Sequence, residues 1–315
     1  MDATLATIVA AAAPLIYATM GETIAEKAGV INLSLDGSIM LSAMAGFAIT
    51  YITGSVIVGF VAATMVSAVI AALIAFASIE LKLNQIAVGF VLTLLATELS
   101  SFIGTAYVGA RGTSVPHLAI PLLEDIPFLG TVLFSHNLSV YGSFVVLIAT
   151  YLFLYRTRRG LELQGIGERP EAAFARGIAV NKLRYLYTVI GGALVGLAGA
   201  AYSLDVMFGW RENLTLNFGW IALAIVIFGG WHPMRVAFGC YLFGALQVVA
   251  LKLQPVEALQ GVSQILPIMP FVLMIFTLLV VYLDWFKEFG DRHPAWRKLL
   301  SSEPPAGIGR VFERE

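Results

Sequence analysis

The sequence predicts an all-α, polytopic transmembrane helical bundle. Three observations carry that prediction. Of 315 residues, 59% are hydrophobic and 12% charged, where a soluble domain has about 25% charged residues. The mean hydropathy is +0.86. Long stretches (37–79, 126–155, 185–204, 213–234 and 258–283) contain no Asp, Glu, Lys or Arg. About 20 apolar residues cross a bilayer core as a helix, and a soluble core has no use for so many such runs. The ten-residue alternation of a transmembrane β-barrel is missing.

About nine spans follow in order, near 4–20, 35–53, 56–79, 85–104, 140–155, 185–204, 217–231, 235–252 and 263–284. The first stretch, MDATLATIVAAAAPLIYATM, lacks the basic start of a signal peptide and reads as a retained span. The seventh and eighth are parted only by GGWHPMR, where Pro233 and two glycines make a tight turn. Lys27, Lys82, the seven basic residues of 156–184, Arg235 and the six of the C-terminal tail fall on one side, 16 of 19 in all. Only Arg111, Arg211 and Lys252 fall on the other. The richer side is the cytoplasm by the positive-inside rule, with the N-terminus outside and the C-terminus inside.

The connections differ in character. The outer loop 105–139 carries Gly109, Gly112, Pro116, Pro121 and Pro127 and reads as irregular. The stretch GETIAEKAGVINLSLDG, from position 21, reads as an inner-face elbow. Gly29 suits the end of the first helix, and Asn32 or Ser34 suits the cap of the second. Asp36 falls in that helix's first turn, where the dipole favours an acid. Glu22 and Glu26 share a helical face and need a nearby cation, such as Lys27 or one from a partner subunit. In the inner loop 156–184, Pro170 suits a first helical position, EAAFAR favours helix, and Gly177 suits the stop. The result is a helix of about two turns, with Glu171 and Arg176 placed to suit its dipole. The chain divides into a membrane domain, 1–284, and a tail, 285–315, whose mixed charges read as a solvated end.

Several chemistries are excluded. A net charge of −1 gives no reason for a nucleic-acid partner. There is no Walker A pattern, so the chain does not hydrolyse nucleotides by itself. The single Cys240 forms no intrachain disulfide, and His117, His136, His232 and His293 fall in loops or turns without metal-ligand spacing. No cofactor and no catalytic residue is assigned. Glu98 is the main ionisable candidate inside a span, which leaves weak support for an intrinsic energy source. Gly192, Gly196 and Gly199, with Ala193 and Ala200, form a small-residue face for close packing, within the subunit or against a second one.

The stretch GERPEAAFARGIAVNKLRY resembles the Glu-Ala-Ala…Gly coupling loop of permease subunits in bacterial ABC importers, matched at Glu171, Ala172, Ala173 and Gly177, with Glu168 and Arg169 beside them. GETIAEKAGVINLSLDGSIMLSAMAGF and LTLNFGWIALAIVIFGGWHPMRVAFGCYLFGALQ resemble the first and last blocks of nucleoside and simple-sugar permeases in the branched-chain amino acid and ribose permease superfamily. The string Ala-Gly-Val-Ile-Asn-Leu is similar to the nucleoside type that works with a basic-membrane-protein-type lipoprotein. That family commonly continues Gly-Leu-Glu-Gly. Here Ser34-Leu35-Asp36-Gly37 shortens the acid by one methylene.

The resemblance implies a multi-pass permease subunit of the bacterial inner membrane that carries nucleosides and is not itself an enzyme. A simple sugar such as ribose, a branched-chain amino acid, or a stand-alone secondary carrier remain as alternatives. Implied partners are a cytoplasmic ABC ATPase, an extracytoplasmic binding protein or lipoprotein, and a second permease subunit, read as a longer paralogue. A neutral, polar substrate needs hydrogen-bonding groups and faces for stacking. The polar candidates are Asn32, Asp36, Asn84, Gln85, Thr93, Thr97, Glu98 and Gln247, and the aromatic ones include Phe90, Tyr107, Tyr202 and Trp220. Asn32 and Asp36 fit an inner-gate or structural role better than direct substrate contact.

Overall fold

The computed structural model describes residues 2–110, 112–121, 123–124, 126–254, 268, 271–272, 275–276, 304–310 and 312. The first helix, α1 (Asp2–Lys27), runs well past its expected end and takes Glu22 and Glu26 inside the bundle. It is followed by α2 (Leu35–Thr53) and α3 (Val56–Ala75), which continues as a π-helical turn to Glu80. Next comes α4 (Gln85–Gly104). After a two-stranded ribbon, β1 (His117–Ala119) and β2 (Ser135–Asn137), the chain forms α5 (Leu138–Arg156), α6 (Arg158–Glu168) and α7 (Pro170–Ala175). The last described elements are α8 (Val180–Ala201, continuing to Val206), α9 (Phe218–Phe228) and α10 (Pro233–Leu253).

Seven of the described helices are long and apolar enough to cross a membrane, so the chain is an all-α polytopic protein. The segment expected to span at 217–231 is instead the 11-residue α9. At 1.5 Å per residue it reaches about 16 Å, roughly half the apolar thickness of a bilayer. The ninth expected span, 263–284, lies almost wholly outside the described residues. One of its described residues, Phe271, sets its ring edge-on to Phe243 at 5.4 Å and to Phe218 at 6.5 Å.

α8 packs along α1, α2 and α3, and its glycine face makes that possible. A Cβ at Gly191 would stand 2.5 Å from the Gly21 carbonyl oxygen of α1. One at Gly196 would stand 2.4 Å from the Ala63 carbonyl oxygen of α3. One at Gly199 would meet the Ser42 hydroxyl of α2 at 2.1 Å. The small-residue face therefore serves packing within the chain.

Three further expectations need correction. The 105–139 connection is not wholly irregular, because β1 and β2 pair antiparallel with Leu118 opposite His136. Pro116 and Pro121 flank β1 rather than interrupt it, which leaves its N–H groups free to pair. The inner loop contains α6 as well as α7, and the Thr157 hydroxyl caps α6 by accepting the Gly160 N–H at 3.0 Å. The tail is not simply solvated: Phe312 is buried with Leu154, Leu163, Ile166 and Ala173.

Two substitutions separate tight from open glycines. Gly191→Val drives a side chain into backbone that has no room to yield, so it is expected to destabilise the protein by about 1–3 kcal/mol. Gly165→Ala meets open space on α6 and is expected to be neutral or slightly stabilising. Thermal unfolding in detergent reads both, and equal midpoints would refute the packing account.

Candidate functional site

The site is built from two places where the chain stops being helical within the bundle. The first follows α1. Gly29, at φ +91°, ends the helix in the left-handed region, and the Val30 N–H returns to the Ala25 carbonyl at 3.2 Å. The chain then doubles back alongside α1. The Asn32 N–H donates to a Glu22 carboxyl oxygen at 3.2 Å, which is five residues, about 7.5 Å, up the helix from Lys27. The Ile31 N–H donates to the Gln85 side-chain oxygen at 2.9 Å, and the Leu33 carbonyl accepts the Thr93 hydroxyl at 2.7 Å. The Asn32 side-chain oxygen accepts from the Ser34 hydroxyl at 2.7 Å and from its N–H at 3.1 Å. Non-helical backbone inside a membrane survives only where such partners satisfy it. Glu22, Asn32, Gln85 and Thr93 thus support the elbow.

The second break lies between α8 and α9. Trp210 is buried beside Gly104, where a Cβ would come within 2.1 Å of the indole nitrogen. Leu214 and Thr215 then run inward, and the Thr215 hydroxyl meets the Met40 sulfur at 3.5 Å. Asn217, at φ +70°, turns the chain into α9. There the Asp36 carboxylate accepts the Gly219 N–H at 2.8 Å and the Asn217 N–H at 3.3 Å. A Cβ at position 219 would lie 2.2 Å from the Asp36 backbone, so only glycine allows this approach. Asp36 was expected to serve the dipole of its own helix. It instead satisfies the first N–H groups of another helix.

The far end of α9 is held in the same way. Trp231, at φ +53°, donates its indole N–H to the Glu26 carboxylate. The cation expected for the Glu22–Glu26 pair is absent among the described contacts; a backbone N–H and an indole N–H take its place. His232 follows, with its ring centroid 5.2 Å from that of Tyr155. Burial, with Arg235 and Lys27 adding to it, holds the His232 imidazole below its ordinary pKa, so the ring is neutral near pH 7.

The remaining predicted residues divide by environment. Phe90 and Trp220 pair with ring centroids 5.4 Å apart. Phe90, Leu94, Thr97 and Glu98 occupy one face of α4 by helical spacing. Phe90, Leu94 and Glu98 on that face are exposed, as are Leu216 and Asn217 in the second break. Asn84 caps α4, accepting the Ile86 N–H at 2.9 Å and the Ala87 N–H at 3.2 Å. Gln247 lies half-buried on α10, which packs against α1, α5 and α9. At the Lys27 end of the bundle, Glu168, Arg169, Ala172, Ala173 and Gly177 line one open groove of about 1090 Å³. Glu171 is exposed on α7 beside it. Pro170 starts α7 and Gly177, at φ +83°, follows its end, as the sequence indicated.

Sequence reasoning missed the inward placement of Glu22 and Glu26, although two acids four apart just before a helix-ending glycine were a visible signal. It also missed Asp205, which accepts from the Ser139 hydroxyl at 2.6 Å and from the Asn137 amide, tying the ribbon to the end of α8.

A polytopic all-α chain with seven described helices long and apolar enough to cross a membrane is the build of a membrane protein. The chain belongs to the family described as branched-chain amino acid transport system / permease component, whose profile matches residues 4–281. It is 39% identical over 250 residues to a putative glucose ABC transporter permease protein of Haloferax volcanii, covering 78% of this chain and 76% of that one. It is 29% identical to a guanosine ABC transporter permease protein of Bacillus subtilis, covering 85% of this chain and 88% of the relative. It is 27% identical to a nucleoside ABC transporter permease protein of Lactococcus lactis, covering 86% and 88%. No solved structure matches the chain. The protein is accordingly a multi-pass ABC permease subunit and not itself an enzyme.

The Trp231–Glu26 contact invites a double-mutant cycle. Trp231→Phe leaves a buried carboxyl oxygen without its donor, so a loss of about 1–3 kcal/mol is expected. Combining it with Glu26→Met removes both polar partners and is expected to recover most of that loss. Unfolding midpoints of the purified variants measure the coupling, and strictly additive losses would reject it.

Proposed function

We propose that this subunit forms half of a nucleoside pathway in an importer of the bacterial inner membrane. The carrying observation is the Phe90–Trp220 ring pair, with Thr97 and Glu98 further along the same face of α4 and Asn217 three residues before Trp220. A ring pair offers stacking surface to a nucleobase, and the polar groups offer hydrogen bonds to a ribose. The guanosine and nucleoside relatives and the Ala-Gly-Val-Ile-Asn-Leu string support that substrate. The putative glucose relative favours a second reading, a simple sugar, because sugars also stack on aromatic rings. The exposed face of α4 fits closure by a second permease subunit, a longer paralogue. An extracytoplasmic binding protein delivers substrate to the 105–137 connection.

The topology in this reading has nine crossings, with the N-terminus outside and the C-terminus in the cytoplasm. The seventh crossing is broken: residues 207–217 enter as irregular chain and α9 completes the passage. The groove around Glu168, Arg169, Ala172, Ala173 and Gly177 then faces the ATPase. Closure of the ATPase pair moves residues 168–178 and tilts the attached α5 and α8.

Uptake into vesicles holding the permease pair, the ATPase and the binding protein decides the substrate. ATP-dependent uptake of labelled guanosine or another nucleoside is expected, and uptake of glucose or ribose alone would overturn the nucleoside assignment. Coupling has its own test. Glu171→Lys reverses a charge on α7, and Gly177→Pro places a residue fixed near φ −65° where +83° is needed. Both variants are expected to reach the membrane but lose uptake and substrate-stimulated ATP hydrolysis. Normal transport by both rejects the docking role.

A further inference from the structure

The segment 304–312 lies beyond the family match, which ends at residue 281, yet its described residues are docked at the meeting point of the two functional regions. The Gly307 N–H donates to the Gly167 carbonyl in α6 at 2.8 Å. Two residues on, the Gly309 N–H donates to the Gly29 carbonyl in the elbow at 3.0 Å. The Ala306 N–H donates to the Glu168 carboxylate at 3.2 Å. Arg184, buried at the start of α8, donates to the Arg310 carbonyl at 2.8 Å and to the Gly307 carbonyl at 3.3 Å. Phe312 is 7% exposed, and its ring centroid lies 5.5 Å from that of Phe174 on α7. The fit is close on both sides: a Cβ at Gly307 would sit 2.7 Å from the Gly167 oxygen, and Gly309 takes φ +71° against Ile31.

We propose that residues 304–312 are an internal strap that joins the docking helices α6 and α7 to the elbow 28–34, so that displacement of the dock is delivered to Asn32 and Asp36. This rests on the ATPase-coupled reading above. Other hydrogen bonds hold the elbow from the α4 side, by Gln85 and Thr93, and from α1, by Glu22, while Gly167 of α6 packs against Lys27 and Gly29 without a hydrogen bond. The strap adds a hydrogen-bonded path from the dock that does not run through a membrane helix. Two of its anchors, Gly307 to Gly167 and Gly309 to Gly29, are main chain on both sides, and Arg184 clasps two of the strap's carbonyls. It therefore acts as a tie that stays fastened through the cycle and does not release as a plug.

Two measurements on the full complex test this. The first is deletion of residues 304–315, with uptake and ATP hydrolysis followed in the same vesicles. The truncated subunit is expected to co-purify with its ATPase and to hydrolyse ATP, while uptake per ATP falls about tenfold, the scale of a typical coupling energy. An unchanged ratio of uptake to hydrolysis overturns the strap. If the wild-type complex itself fails to transport, the functional reading fails and not the strap. The second is hydrogen exchange of the intact wild-type complex, which needs no variant. Peptides covering 304–312 are expected to exchange slowly both without nucleotide and with ATP trapped. Fast exchange in either state overturns the proposal, and it decides the matter if the truncated chain does not assemble.

Discussion

The architecture depends on how α9 is held at its two ends. A helix of 11 residues inside an apolar medium presents free N–H groups at one terminus and free carbonyls at the other, with no water to meet them. Asp36 takes the N–H groups of Asn217 and Gly219; at the other end the Gly230 and Trp231 N–H groups return to the Ile227 and Val226 carbonyls, and Glu26 fixes that turn by accepting the Trp231 indole N–H. Both acids come from the first 36 residues of the chain. The turn at Asn217 and the placing of half-buried Trp220 against Phe90 follow from the clamp at Asp36.

Around that clamp the bundle divides into a packed half and an open one. The glycines of α8 meet backbone of α1 and α3 directly, which leaves little freedom for sliding. α4 contributes Gln85, Thr93 and Ala96 to the interior and leaves Phe90, Leu94 and Glu98 outside. One wall of the bundle is thus firmly packed, and the other leaves an apolar face of α4 uncovered among the described residues.

Much of this was legible in the sequence. The bounds of α2 and α4 match the charge-free and capped stretches closely, because membrane helices are set by local composition. Pro170 and Gly177 marked α7 for the same local reason. What escaped was non-local. The bond between Asp36 and Gly219 joins residues 183 apart and leaves no periodicity to read. Asn84 reads from sequence as a hydrogen-bonding group for a polar substrate, and the structure adds a role as the cap of α4. The RRGLELQGIGE stretch hid α6 behind three glycines and a mixed charge pattern. The tail, with balanced charges, gave no sign that Phe312 would be buried against Ala173 and Leu163.

The hydrogen bonds from Asn137 and Ser139 to Asp205 have a consequence of another kind. They fasten the β-ribbon to one end of α8, while Arg184 at the other end grips the segment beside α6 and α7. One continuous helix thus carries both attachments. Whatever alters the tilt of that helix at the ribbon must alter the energy of the α6–α7 end by the same amount, and the reverse must hold. The two faces of the chain are then joined through a single rod, as reciprocal terms of one equilibrium.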